Sequence, residues 1–238
     1  LEINNKYSQE QLVAFTKKLA KRANELQLNL VGNDTLKVDF PFKNSAIRKM
    51  AIEGYHHIES EYPELSYQGN SVKPSLFSIP LTYMGFNGYL NPLTNEAQVN
   101  NRIPKFKLPS TTSHEMGHQI GFAKENEANF MACLTTMNHP NPYFKYGGYT
   151  FALKYCIGEV YVTDPCEAEN IIAMLNLGIR KNYQEVQQFW EAHENPFEPF
   201  FKIFYGGYLK ANNQPQGIKS YNYVVALLVN YFEGEHQL

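Results

Sequence analysis

Leu12, Phe15, Leu19 and Ala23 recur three and four residues apart, while Lys17, Lys18, Lys21 and Arg22 fall largely opposite. That rhythm predicts an amphipathic helix. Ser8-Gln9-Glu10-Gln11 reads as a capping box, so the helix opens there and runs to about Leu28. Ile47, Met50, Ala51, Gly54, Tyr55 and Ile58 repeat the pattern, predicting a second helix from Ser45 to Glu61 that stops near Pro63. His56 and His57 are neighbours on it and point in different directions, which makes them ordinary helix residues rather than metal ligands.

The rhythm changes at Lys73. Proline and glycine interrupt the chain as far as Asn101, and Gly88–Asn91 and Glu96–Asn100 are short strand candidates around a Pro92-Leu93-Thr94-Asn95 turn. This predicts a β-hairpin with an exposed edge, the alternative being an irregular lid. Helical spacing returns after Pro109, which suits the first turn of a helix through Ile120, and Gly121 caps its end. A helix from Glu125 to Met137 follows, broken by the HPNP stretch His139–Pro142. Further helices are expected over Tyr143–Val162, Pro165–Leu177, Tyr183–His193, Pro199–Ala211 and Tyr221–Glu233. The order predicts an α+β, mostly α, single domain over 1–238. It divides into an N-terminal helical part (1–72), a block of hairpin and polar helices (73–138) and a C-terminal helical part (139–238).

Composition narrows the function. The 238 residues are 43% hydrophobic and 18% charged, enough to bury a core and against disorder. A formal net charge of −2, with no cluster of basic residues, gives no reason to expect nucleic acid. Seventeen tyrosines and 16 phenylalanines supply packing, and tyrosine also suits peptide or sugar surfaces. Three cysteines are too few for a disulfide scaffold. Cys133 reads as a buried thiol, while Cys156 and Cys166 are either a pair in an oxidising compartment or two free thiols. No apolar run reaches the roughly 18 residues of a membrane span, and no stretch of this sequence reads as a signal peptide. The sequence starts at Leu1 rather than methionine, as expected of a piece cut from a longer protein.

One stretch carries chemistry. His114-Glu115-Met116-Gly117-His118 is an H-E-x-x-H motif. On a helix, residues four apart share a face, so the two imidazoles can hold one zinc ion (Zn2+). Glu115 sits where it can act as general base on a water activated by the metal and pass the proton to a leaving amine. The small Gly117 leaves room for another backbone or a substrate to come close. A catalytic zinc takes three protein ligands and keeps one position open. Glu127 is the expected third ligand, because it shares a face with Phe130, Met131 and Leu134, which should point inward. Glu125 is expected in the first turn of that helix, favoured by the helix dipole, and Asn129 is a candidate to orient a ligand. His139 is the alternative ligand. Tyr221, Tyr223 and His193 are candidate donors to the oxyanion formed during attack.

The segments KPSLFS, GYLNPLTNEAQVN, LPSTTSHEMGHQ, HEMGHQIGFAKENEANFMACL and YLKANNQPQGIKSYNYVVALL, spread over Lys73–Leu228, resemble in order the blocks of an uncharacterised bacterial family. These membrane-anchored, metallopeptidase-like proteins are known only as domain of unknown function 3810. The resemblance implies a zincin-like fold, with His114, Glu115 and His118 on the active-site helix and Glu127 on the next. It also implies transmembrane helices ahead of Leu1 and a position outside the cytoplasm. A more remote similarity is to gluzincin peptidases, although the gap from His118 to Glu127 is shorter than in most of them.

The expected function is a zinc-dependent metallopeptidase of the cell envelope, acting on a peptide or protein. The alternative is a non-catalytic zinc domain that binds a protein partner or an envelope polymer. Amide hydrolysis on peptidoglycan is a third reading.

Overall fold

The computed structural model describes residues 6–69, 71–195 and 221–232. Helix α1 spans Gln9–Val31 and opens on the expected capping box. Gln11 N–H donates to Ser8 Oγ at 3.2 Å, and Ser8 N–H donates to Gln11 Oε1 at 2.7 Å. Its buried face, Leu12, Phe15, Leu19 and Ala23, lies against α6, Pro142–Thr163. Helix α2, Asn44–Glu59, buries Ile47, Ala51, Tyr55 and Ile58 and leaves His56 and His57 exposed.

Three short strands follow. They are β1 (Val72–Pro74), β2 (Gly88–Leu90) and β3 (Ala97–Val99), with a short helix α3 (Ser78–Tyr83) between β1 and β2. The sheet order is β1-β3-β2. Strands β2 and β3 form the expected antiparallel hairpin, and β1 adds parallel to β3, in register Val72 to Ala97. Strand β1 and helix α3 were not expected. Three residues ending in proline show no alternation, and the six of α3 are too short for a helical period.

The sheet covers α4 (Leu108–Gln119), which also packs on α2 and on α5 (Glu125–Met137). Helix α4 is polar yet central. Thr111, Thr112, Ser113, Glu115 and Met116 are all buried on it, and Tyr55 Oη donates to the Ser113 carbonyl at 2.7 Å. Such a helix is held by its surroundings more than by its own amphipathicity.

Helix α7 (Pro165–Ala173) is shorter than expected, and α8 (Leu177–Glu191) starts earlier. Asn24 explains both. Its side chain donates to the Met174 carbonyl at 2.9 Å and accepts from Asn176 N–H at 2.8 Å, fixing a turn between the helices. Helix α9, Tyr221–Phe232, agrees with expectation. The helix expected over Pro199–Ala211 lies outside the described residues. The fold class is α+β, mostly α. No helix of the described residues is long and apolar enough to cross a membrane. Cys133 and Cys156 are buried and Cys166 is exposed; all three are free thiols.

Candidate metal centre

Helix α4 ends where the sequence said it would. Gly121 takes a positive φ of 110°, the left-handed region that favours glycine. Gly121 N–H donates to the His118 carbonyl and Phe122 N–H to the Gly117 carbonyl, both at 3.1 Å. This paired closure is a Schellman motif. It turns the chain so that α5 begins beside the last turn of α4. It also carries the Phe122 carbonyl to His118 Nδ1, at 2.7 Å. With Nδ1–H donated there, the Nε2 lone pair of His118 is left for a ligand.

Both Nε2 atoms converge on one carboxylate, that of Glu125. His114 Nε2 lies 3.3 Å from Glu125 Oε2 and His118 Nε2 lies 3.6 Å from Glu125 Oε1. Among the described residues, His114, His118 and Glu125 form the one group of this kind that could hold a metal, with one donor atom from each all within 4.8 Å of one another. Two imidazoles and a carboxylate are a zinc donor set. Glu127, the expected third donor, is elsewhere. It is buried, with Oε1 3.3 Å from Lys124 Nζ. The correction has a physical cause. Helix α5 is buried from Asn126 to Met137 on every face, so pointing inward does not mean pointing at the histidines.

Electrostatics follow from these contacts. Burial opposes charge on His118, but its hydrogen bond to Glu125 and the charges of Glu115 and Glu125 prevail and raise its pKa to about 9. Burial also opposes charge on Glu125, yet the two histidines hold it well below the usual carboxylate range. Burial pushes Glu115 up, against the pull of His114 and His118. Glu115 Oε2 and His114 Nδ1 are buried without a hydrogen-bond partner among the described residues. A buried carboxylate oxygen without a partner costs free energy unless a water or substrate group meets it. This unmet oxygen and the donor set fit a zinc ion with Glu115 beside it.

Strand β2 closes over Glu115. A Cβ on Gly88 would stand 2.6 Å from Glu115 Oε1 and 2.7 Å from the Gln98 carbonyl oxygen, so only glycine allows this approach. Gly117 lets the backbone of α5 come near, as expected, since a Cβ on it would stand 3.5 Å from Ala128 Cα, and Gly88 does the same more tightly for β2. Gln119 ties the tip of the hairpin to the end of α4. Its Nε2 donates to the Asn95 carbonyl at 2.6 Å, and its Oε1 accepts from Tyr67 Oη.

The other expected residues are placed as follows. His139 is buried in the core, its Nε2 2.9 Å from the Met50 carbonyl, its Nδ1 accepting from Asn141 N–H, its ring stacked on Phe144. With both nitrogens in use it is no ligand. Asn129 is buried along α5. His193 Nδ1 lies 2.6 Å from the Phe189 carbonyl, and its ring meets Tyr83 edge-on. Tyr223 is half-buried on α9, and the side chain of Tyr221 lies outside the described residues.

A family model matches residues 1–229. The chain belongs to the family described as protein of unknown function (DUF3810). Comparison of this family member with curated proteins and with solved structures returned no match. Sequence reasoning weighed Glu125 as a ligand and set it aside for Glu127, and it did not single out Gly88. Glu125 had a signal, a carboxylate at the first helical position just after a glycine turn. Gly88 had none, because the sequence does not show which strand covers Glu115.

Proposed function

We propose that this chain is a zinc-dependent peptidase of the cell envelope. The observation that carries the reading is the convergence of His114 Nε2, His118 Nε2 and the Glu125 carboxylate, with the unpartnered Glu115 Oε2 beside them. Zinc in such a site supplies Lewis acidity, polarising a carbonyl and acidifying water. His114, His118 and Glu125 would hold it. Three protein donors among the described residues leave a fourth position for water or substrate, which favours a catalytic over a closed structural site. Glu115 takes the proton from the attacking water and delivers it to the leaving amine. Its raised pKa makes it a better base than an exposed glutamate.

The sheet edge favours a peptide as substrate. Asn100 N–H donates to the Asn87 carbonyl and Asn91 N–H to the Glu96 carbonyl, at 2.8 and 2.9 Å. Those pairs alternate with Gly88–Val99 and Leu90–Ala97, which are therefore the non-hydrogen-bonded pairs of the ladder. The N–H and C=O groups of Gly88 and Leu90 thus point away from β3, along the edge that passes Glu115. An extended peptide can add there as a further strand. The envelope location rests on the family resemblance.

The test is incubation of the zinc-loaded chain with a mixture of unstructured peptides, with cleavage mapped by mass spectrometry. Hydrolysis that disappears on chelation and returns with zinc is the expected result. Intact peptides in the presence of bound zinc overturn the reading.

A further inference from the structure

Lys107 stands seven residues before His114 and eleven before His118. At 3.6 residues per turn these are nearly whole turns, so the three residues share one face of the same helical run, Lys107 itself having helical φ and ψ. At about 1.5 Å per residue, its Cα lies roughly 10 Å along that face from His114. Its Nζ donates to Asn87 Oδ1 at 2.8 Å and sits 5.6 Å from the centre of the Trp190 ring. Lys154, on α6, adds a second positive charge nearby. Among the described residues neither lysine has an acidic partner; the lysine and arginine ion pairs there use Lys17, Arg22, Lys37, Lys73 and Lys124.

Strand β2 connects this cation to the proposed reactive centre. Asn87, bound to Lys107, directly precedes Gly88, which abuts Glu115. The hairpin tip at Asn95 is fixed to Gln119, so β2 runs from the Lys107 end of α4 toward its far end. A peptide paired antiparallel to β2 then runs the other way. Its C-terminal end points at Asn87 and Lys107.

We propose that Lys107, with Asn87 and Lys154, forms a subsite for a carboxylate on the C-terminal side of the bond that is cut. The site selects peptides that place an α-carboxylate or an acidic side chain two or three residues beyond that bond, a span of about 7–10 Å in extended chain. The inference rests on the peptidase reading for its register. Burial, reinforced by Lys154, pushes the Lys107 ammonium down to about 7. An arriving carboxylate relieves both costs and gains charge-assisted hydrogen bonds.

Trp190 is the single tryptophan of the chain, so its fluorescence reports on this spot. Zinc-loaded Glu115→Gln protein is titrated with alanine-based hexapeptides ending in a carboxylate or a carboxamide. A second, amidated pair carries Asp or Asn near the C-terminus. The acid forms are expected to bind on the order of tenfold more tightly and to change the emission. Lys107→Met should reduce the preference to within about twofold, and Lys107→Arg should keep it. Equal binding of acid and amide forms, or a preference that survives Lys107→Met, overturns the subsite. The unsubstituted enzyme, assayed on the same peptides, separates the two ideas. Cleavage of acid and amide forms alike leaves the peptidase standing without the subsite. Lys107-dependent binding with no cleavage leaves the subsite standing without the peptidase.

Discussion

A methyl group on the Cα of Gly88 would come within 2.6 Å of Glu115 Oε1. The strand and the proposed base are therefore fitted to each other, and Gly88→Ala must displace one of them. The same methyl would stand 2.7 Å from the Gln98 carbonyl oxygen, so it meets backbone as well as the carboxylate. Carboxylate movement of about 1 Å is expected to lower kcat/KM by roughly 100-fold. Zinc content and the far-ultraviolet circular dichroism should not change, because no metal donor is touched. Full activity in this variant would show that Glu115 does not need its observed position.

Glu115→Gln separates the base from the ligands. The amide keeps the shape of the side chain but cannot accept the proton. Hydrolysis should fall by a factor on the order of 100 to 10,000. Metal analysis should still find one zinc per chain, since His114, His118 and Glu125 are intact. Loss of zinc along with activity would place Glu115 among the ligands.

Glu125→Ala and Glu127→Ala are expected to part company. The first removes the carboxylate that both imidazoles face and should lower zinc affinity by at least tenfold to 100-fold, the scale seen even for weaker, outer-shell losses. The second breaks an ion pair with Lys124, whose side chain is 56% exposed, and should change zinc affinity little. Competition with a chromogenic chelator measures both. The reverse order would restore the assignment made from the sequence.

That reversal shows what the sequence can and cannot say. The H-E-x-x-H helix, its Gly121 terminus and the start of α5 at Glu125 were legible because each depends on local chain geometry. The choice between Glu125 and Glu127 was not. The hydrophobic pattern orients a helix only when one side meets solvent, and α5 is enclosed from Asn126 onward. Strand β1 was hidden by its brevity. The approach of Gly88 to Glu115 and the position of Asn87 beside Lys107 depend on how the sheet lies across α4, which no local spacing encodes.

Lys107 should leave its mark on stability against pH. In the folded chain its amine gives up its proton near pH 7; in an unfolded chain a lysine does so near about 10.4. Between those values the unfolded state binds more protons, so this residue's contribution to folding improves as pH rises. Below pH 7 the cost of the half-buried charge is felt in full. Among the described residues, the groups that face the amine are Lys154 on α6, the Asn87 amide and the Trp190 ring, and none of these is an acid that would reverse the sign. Lys107→Met removes the titration and preserves the length of the side chain. The variant should therefore be more stable than the parent at pH 6, with the gap closing toward pH 10. Apart from Lys154, whose charge is coupled to that of Lys107, the other groups titrate alike in the two proteins, so the difference between their urea midpoints reports on this pair. A gap that stays constant with pH would mean that the ammonium is solvated in the folded chain.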